Sequence, residues 1–131
     1  MANLLVDIIA YLKAQGAVTG GDGVDCFRDY TPPTPDSLVS LYEYTIGGSQ
    51  MGVSCIPRGV QIRARATTYS AARTTLMSIY SLLDRPLDPI VNLTSTRWAV
   101  IQGASPPTKL MEDENRRITF SCNLHVTTYK D

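Results

Sequence analysis

Two segments of this chain alternate so strictly that they demand a half-buried β-sheet as its framework. In Ile118–Val126, the residues Ile118, Phe120, Cys122, Leu124 and Val126 fall on one face, and Thr119, Ser121, Asn123 and His125 on the other. In Gly59–Ala66, Val60, Ile62, Ala64 and Ala66 oppose Gln61, Arg63 and Arg65. Successive side chains of a strand point to opposite faces, so a period of two describes a sheet with one apolar and one solvated side. An apolar sheet face needs a cover, and two helical stripes are available to supply it. Residues 3–14 place Leu4, Leu5, Ile8, Ile9 and Leu12 on one side of a helix, with Asn3 to cap it and Gly16 to end it. Residues 69–83 do the same with Ala72, Leu76, Ile79, Tyr80 and Leu83, after Thr68 as N-cap and before Pro86.

The connecting stretches fill in the order. Thr19-Gly20-Gly21-Asp22-Gly23 reads as a turn, and Val24–Tyr30 as a short strand. Residues 31–36, TPPTPD, hold three prolines and read as an extended linker. Residues 38–46 read as a strand, with Leu38, Tyr42, Tyr44 and Ile46 on one face and Val39 and Leu41 on the other. Gly47-Gly48-Ser49 is a loop tip within a long stretch, Gly47–Pro57, and Arg97–Gln102 is a further strand that Ser105-Pro106-Pro107 should break. Helix, two or three strands, helix, two strands is an α+β order, without the repeated alternation of a doubly wound sheet. The expectation is one domain over residues 1–131, a single mainly antiparallel sheet with two helices packed on one face.

Chemistry is scarce. Twelve basic and 12 acidic residues cancel, so the basic excess of a phosphate-gripping protein is missing. Cys26, Cys55 and Cys122 are widely spaced and odd in number, which favours free thiols over a zinc site. The one histidine, His125, lies on the polar face of its strand, far in sequence from any partner for metal or proton work. Neither a nucleophile elbow nor a phosphate-binding loop is present, and the glycines at 20–23 neither follow a firm strand nor open a helix. Glu112, Asp113 and Glu114 are adjacent rather than spaced as calcium ligands, and read as a solvated turn. The opening MANLLVDIIAYLKAQG lacks a basic start and is interrupted by Asp7, so neither a signal peptide nor a membrane span is expected. Asn92-Leu93-Thr94 is then a chance sequon. No enzyme activity, cofactor or metal is expected. Arg63, Arg65, Arg116 and Arg117 suit either the outward faces of half-exposed strands or the charged rim of a subunit interface.

The segment order resembles the tail-completion, or tail terminator, family of tailed bacteriophages, whose members also carry the label of minor capsid proteins. The resemblance lies in Val60–Ala66, a strand with Arg at alternate places, running through Tyr69 directly into the helix Ser70–Asp84. It extends to the N-terminal helix Leu4–Leu12, to Pro106-Pro107, to Asp113-Glu114-Asn115-Arg116-Arg117 and to the closing strand Ile118–Val126. The long glycine-containing stretch Gly47–Pro57 departs from the plain alternating strand usual there. The resemblance implies a structural virion protein that assembles with itself as a ring, usually of six subunits. Such a ring caps the head-proximal end of the tail tube, stops its polymerisation and offers a surface to the head-tail connector. DNA would pass through the lumen without sequence-specific binding, and no membrane is involved. Assembly would occur in the host bacterial cytoplasm.

A closed ring requires a heterologous interface, and strand edges and loop tips are natural contributors. The loops Gly47–Pro57 and Thr108–Asn115 are the expected contact regions, with Gly47, Gly48, Gln50, Arg63, Arg65, Glu112, Asp113 and Arg116 as candidate interface residues. The alternatives are another head-tail connector component, a stopper or joining protein, and a small ligand-binding domain using Tyr42, Tyr44 and the arginine face.

Overall fold

The computed structural model describes residues 4–45, 55–85, 90–93 and 98–129. The chain order is α1 (Leu4–Ala14), β1 (Cys26–Arg28), β2 (Leu38–Thr45), β3 (Cys55–Ala66), α2 (Tyr69–Leu83), β4 (Ile90–Asn92), β5 (Trp98–Glu112) and β6 (Ile118–Tyr129). The strands form one six-stranded sheet in the order β1-β2-β3-β6-β5-β4, curled into a half-barrel. The fold is therefore α+β, as expected, but the sheet is mixed, because β1 runs parallel to β2 while every other pair is antiparallel.

The two alternating segments become the centre of the sheet. β3 and β6 pair without interruption from Cys55 opposite Tyr129 to Ala66 opposite Ile118. Across β2, β3 and β6 the register sets Val39, Ala64 and Phe120 side by side, then Leu41, Ile62 and Cys122. All six are buried, and they join Val60, Leu124, Val126, Ala99 and Ile101 in one cluster with the helix stripes. Each large aliphatic side chain taken fully out of water there contributes about 1.5–3 kcal/mol. From α1 the cluster receives Leu4, Leu5, Ile8, Ile9 and Leu12, and from α2 Ala72, Leu76, Ile79 and Leu83. Tyr80, read as part of the α2 stripe, is only partly buried.

The helix ends follow the local chemistry. Gly16 takes φ 80°, which lets Ala17 N–H reach the Leu12 carbonyl at 2.9 Å and Gly16 N–H the Lys13 carbonyl at 3.1 Å. This paired closure is a Schellman motif, and glycine adopts the left-handed conformation without a Cβ penalty. Thr68 caps α2, its hydroxyl accepting from Ala71 N–H at 3.1 Å. Asn3 and Pro86 lie outside the described residues.

Three expectations about strands need correction. Residues 55–57, placed in the loop Gly47–Pro57, begin β3, while 46–54 lie outside the described residues. β4 was not anticipated; its three residues pair with β5 through Ile90 opposite Val100 and Asn92 opposite Trp98. Pro106 and Pro107 do not break β5, which runs on to Glu112. The strand absorbs them through register shifts between Gly103 and Ser105, Ser105 and Thr108, and Lys109 and Met111. β4 pairs only with 98–100, so the far side of β5 beyond residue 100 has no strand partner among the described residues. The two consecutive prolines face both sides: toward β6 the missing donor falls within the register shift between Ser105 and Thr108, and on the other side no strand among the described residues requires one.

Candidate functional site

The sheet face away from the core collects the sequence-predicted charges. At its lower end the register lines up Leu38, Arg65 and Thr119, then Ser40, Arg63, Ser121 and Thr108, then Tyr42, Gln61, Asn123 and Ser105. Over this end lies the proline-rich segment 31–36 as a strap. Proline has no N–H, so such a segment offers carbonyl acceptors and few donors. Two arginines supply the donors. Arg65 gives Nη2–H to the Pro35 carbonyl at 2.7 Å and Nε–H to the Asp36 carbonyl at 3.2 Å. Arg117 donates from Nη1 to the Pro33 carbonyl and from Nε to Asp113 Oδ2 at 2.7 Å, and its Nη1 sits 3.5 Å from Asp36 Oδ1. Arg65, expected to face outward, is on the predicted face but only 7% exposed, because the strap covers it. Burial, and then the neighbouring Arg117 charge, lower its pKa; an arginine stays charged regardless. Thr31, where the strap begins, donates to the buried Ser40 Oγ at 3.0 Å and shares a 2.6 Å hydrogen bond with the Tyr42 hydroxyl.

Arg63 is placed differently. Its Nε–H donates to Gln61 Oε1 at 2.8 Å, and its guanidinium lies 4.6 Å from the centre of the Tyr42 ring. A concavity of about 290 Å³ opens beside it, lined by Thr31, Tyr42, Arg63, Arg65, Met111, Asp113 and Thr119. Three of the predicted interface residues, Arg63, Arg65 and Asp113, are thus brought together. Asp113 is the hinge of the β5–β6 turn. Its Oδ1 accepts from Asn115 N–H at 3.0 Å and Arg117 N–H at 2.9 Å. The Arg117 backbone N–H, then that residue's side chain and Asn115 N–H, outweigh a desolvation cost and hold the Asp113 carboxyl below its usual pKa. Arg116, at φ 60°, turns the chain there, and Arg116, Glu112 and Glu114 are exposed. Thr108–Glu112, read as part of a loop, is strand, so the loop proper is only 113–117. Gly47, Gly48 and Gln50 lie outside the described residues.

Other chemical candidates carry structural duties. Asp25 folds the 19–21 loop around itself, accepting from Gly21 N–H at 2.7 Å, Gly20 N–H at 3.1 Å, and Thr19 N–H and hydroxyl at 3.3 Å. Burial opposes its charge, but these donors win and lower its pKa. The loop N–H groups that could have cradled a phosphate are therefore occupied. Burial pushes the thiols of Cys26 and Cys122 up to about 12, with the Asp25 charge adding to the effect at Cys26. Neither is a thiolate near neutral pH. Among the described residues no three His, Cys, Asp or Glu gather as a metal site, and no helix is long and apolar enough to cross a membrane. The roles of Arg65, Arg117 and Tyr42 were missed at the level of sequence. The available signal was a run of proline carbonyls lacking donors of its own.

A chain described as "Virion of native gene transfer agent (GTA) particle" has a similar fold, with a TM-score of 0.60 at 15% identity, covering 92% of this chain and 85% of that one. No curated protein matches in sequence. The profile of the family described as "Bacteriophage tail terminator protein" matches residues 11–130, nearly the whole chain. This chain, with its strapped, curled sheet, belongs to the bacteriophage tail terminator protein family.

Proposed function

We propose that this chain is a ring subunit of a phage-like virion. It caps the head-proximal end of the tail tube, stops further polymerisation and presents a surface to the head-tail connector. The family match over residues 11–130 carries the reading, and the likeness to a chain of a virion particle supports it. The apolar stripes of both helices join the core cluster of the sheet, and the polar sheet face and the two sheet edges are the surfaces proposed for assembly. A closing ring needs two different surfaces on each subunit. The edges differ: β1 covers only residues 39–41 of β2, and β4 only 98–100 of β5. Of the interface candidates, Arg63, Glu112, Asp113 and Arg116 belong to this assembly surface, whereas Arg65 lies beneath the strap; Gly47, Gly48 and Gln50 are candidates from the sequence alone. The ring is a homo-oligomer, of six subunits on the family pattern, and DNA passes through its lumen without base readout. With zero net charge, the chain suits a lumen that does not grip phosphate.

The test is reconstitution. Purified chain added to elongating tail tubes should arrest growth and leave a ring visible at one end. Tubes that keep lengthening at the same rate, with bare ends, would remove the terminator reading in favour of another connector role.

A further inference from the structure

We propose that the Arg63 guanidinium receives an acidic side chain from the Glu112–Glu114 turn of a second copy of this chain, a charge pair across the subunit interface. The inference rests on the ring reading above and names its contact.

The first ground is that Arg63 is held in place but has no carboxylate partner among the described residues. Arg28, Arg58 and Arg117 each pair with a carboxylate, on Asp22, Glu43 and Asp113. Arg63 has no acidic partner among the described residues, only Gln61 and the Tyr42 ring. Those contacts use Nε and one flat face, which leaves the Nη edge as the remaining pair of donors beside the concavity. That edge matches the two oxygens of a carboxylate. Tyr42 is itself held by Thr31, so the platform is ordered in advance. An arginine already fixed in one rotamer loses little entropy on binding.

The second ground is charge complementarity within the same chain. Glu112 and Glu114 are exposed and form no ion pair among the described residues, whereas Asp113 between them is spent on Arg117. The third is height. Arg63 is level with Ser121 and Thr108, and Glu112 sits opposite Ile118, so both features occupy the same end of the sheet. Arg63 is on β3 and the acids are at the β5–β6 turn, displaced across the sheet. With the ring axis taken to run along the strands, rotation preserves height and carries one copy's turn toward the next copy's arginine. A nucleic-acid phosphate fits less well, because a polyanion calls for several uncommitted cations, and of the two arginines that line the concavity Arg65 is already spent on the strap carbonyls.

The experiment is a charge swap read by native mass spectrometry and electron microscopy, with the full chain alone and on tail-tube ends. Arg63→Glu should weaken assembly by about tenfold or more, and combining it with Glu112→Arg and Glu114→Arg should restore most of it. Arg63→Lys, which keeps the charge but not the fork, should assemble at an intermediate level, and unchanged melting temperatures show that folding is intact. Wild-type rings with unaffected Arg63→Glu rings would overturn the inference while leaving the ring reading standing. Loss without rescue by the swap would overturn the second copy as the source of the acid. Loss of binding to a duplex oligonucleotide with assembly intact would transfer Arg63 to phosphate contact and overturn it too. If wild-type chain closes no oligomer in either setting, the ring reading and this inference fall together.

Discussion

β6 has two neighbours, and they treat it differently. On one side β3 matches it residue for residue across 12 positions. On the other, β5 slips register three times between Gly103 and Met111. The regular side carries Ile62, Ala64, Phe120, Cys122 and Leu124, all buried. The irregular side carries Pro106, Pro107, Lys109, Leu110 and Met111, with Leu110 and Met111 at 40% and 47% exposure. Register is strictly specified where a slip would turn apolar side chains into water, and loosely where both faces are wet. The stability of this fold is therefore concentrated in β3, β6 and the helices, while the outer length of β5 holds few buried side chains.

That contrast can be broken by mutation. Phe120→Ala, at the regular centre and in edge contact with Tyr69 at 5.0 Å, should cost about 3–5 kcal/mol in chemical denaturation. Gly103→Ala sits where the irregular stretch starts. A Cβ there would come within 2.0 Å of the Tyr80 hydroxyl, and Asp84 Oδ1 already accepts from Gly103 N–H at 3.0 Å. A cost of about 1–3 kcal/mol is expected, as for other overpacked sites. Leu110→Ser, farther along β5, should change stability by less than about 0.5 kcal/mol while impairing assembly. Equal losses for Phe120→Ala and Leu110→Ser would erase the distinction between the two sides.

Acid should sharpen it from another direction. Asp25 and Asp113 both titrate below their usual carboxyl pKa in the folded chain. Their contribution is complete above the unfolded value, about 3.9, and fades as pH falls through the lower folded values. Melting temperature should therefore fall as pH drops below about 4. Asp25→Asn, which cannot accept from the whole 19–21 loop, should lower stability at neutral pH by about 1–2 kcal/mol and flatten that acid slope. An Asp25→Asn curve parallel to wild type would show that the loop owes nothing to the charge.

The same contrast explains what could be read beforehand. β3, β6 and both helices announce themselves, since one buried face imposes a period that the residues must obey. β5 beyond Gln102 has no such face, and its prolines suggested a break because sequence does not say that no strand among the described residues pairs with that edge. β4 is three residues long, too short for any period, and the parallel direction of β1 leaves no mark in its composition. At the site, Arg63 and Arg65 were legible as one strand face. Their opposite fates were not, because the strap that buries Arg65 arrives from residues about 30 positions away in sequence, and the Arg117 contact from 84.

The central claim is that this chain ends a tail tube, and a phage deleted for it provides the direct measurement. Electron micrographs should then show tubes longer than normal and unattached to heads, with normal length and joining restored by supplying the chain. Tails of normal length joined to full heads in its absence would contradict the account.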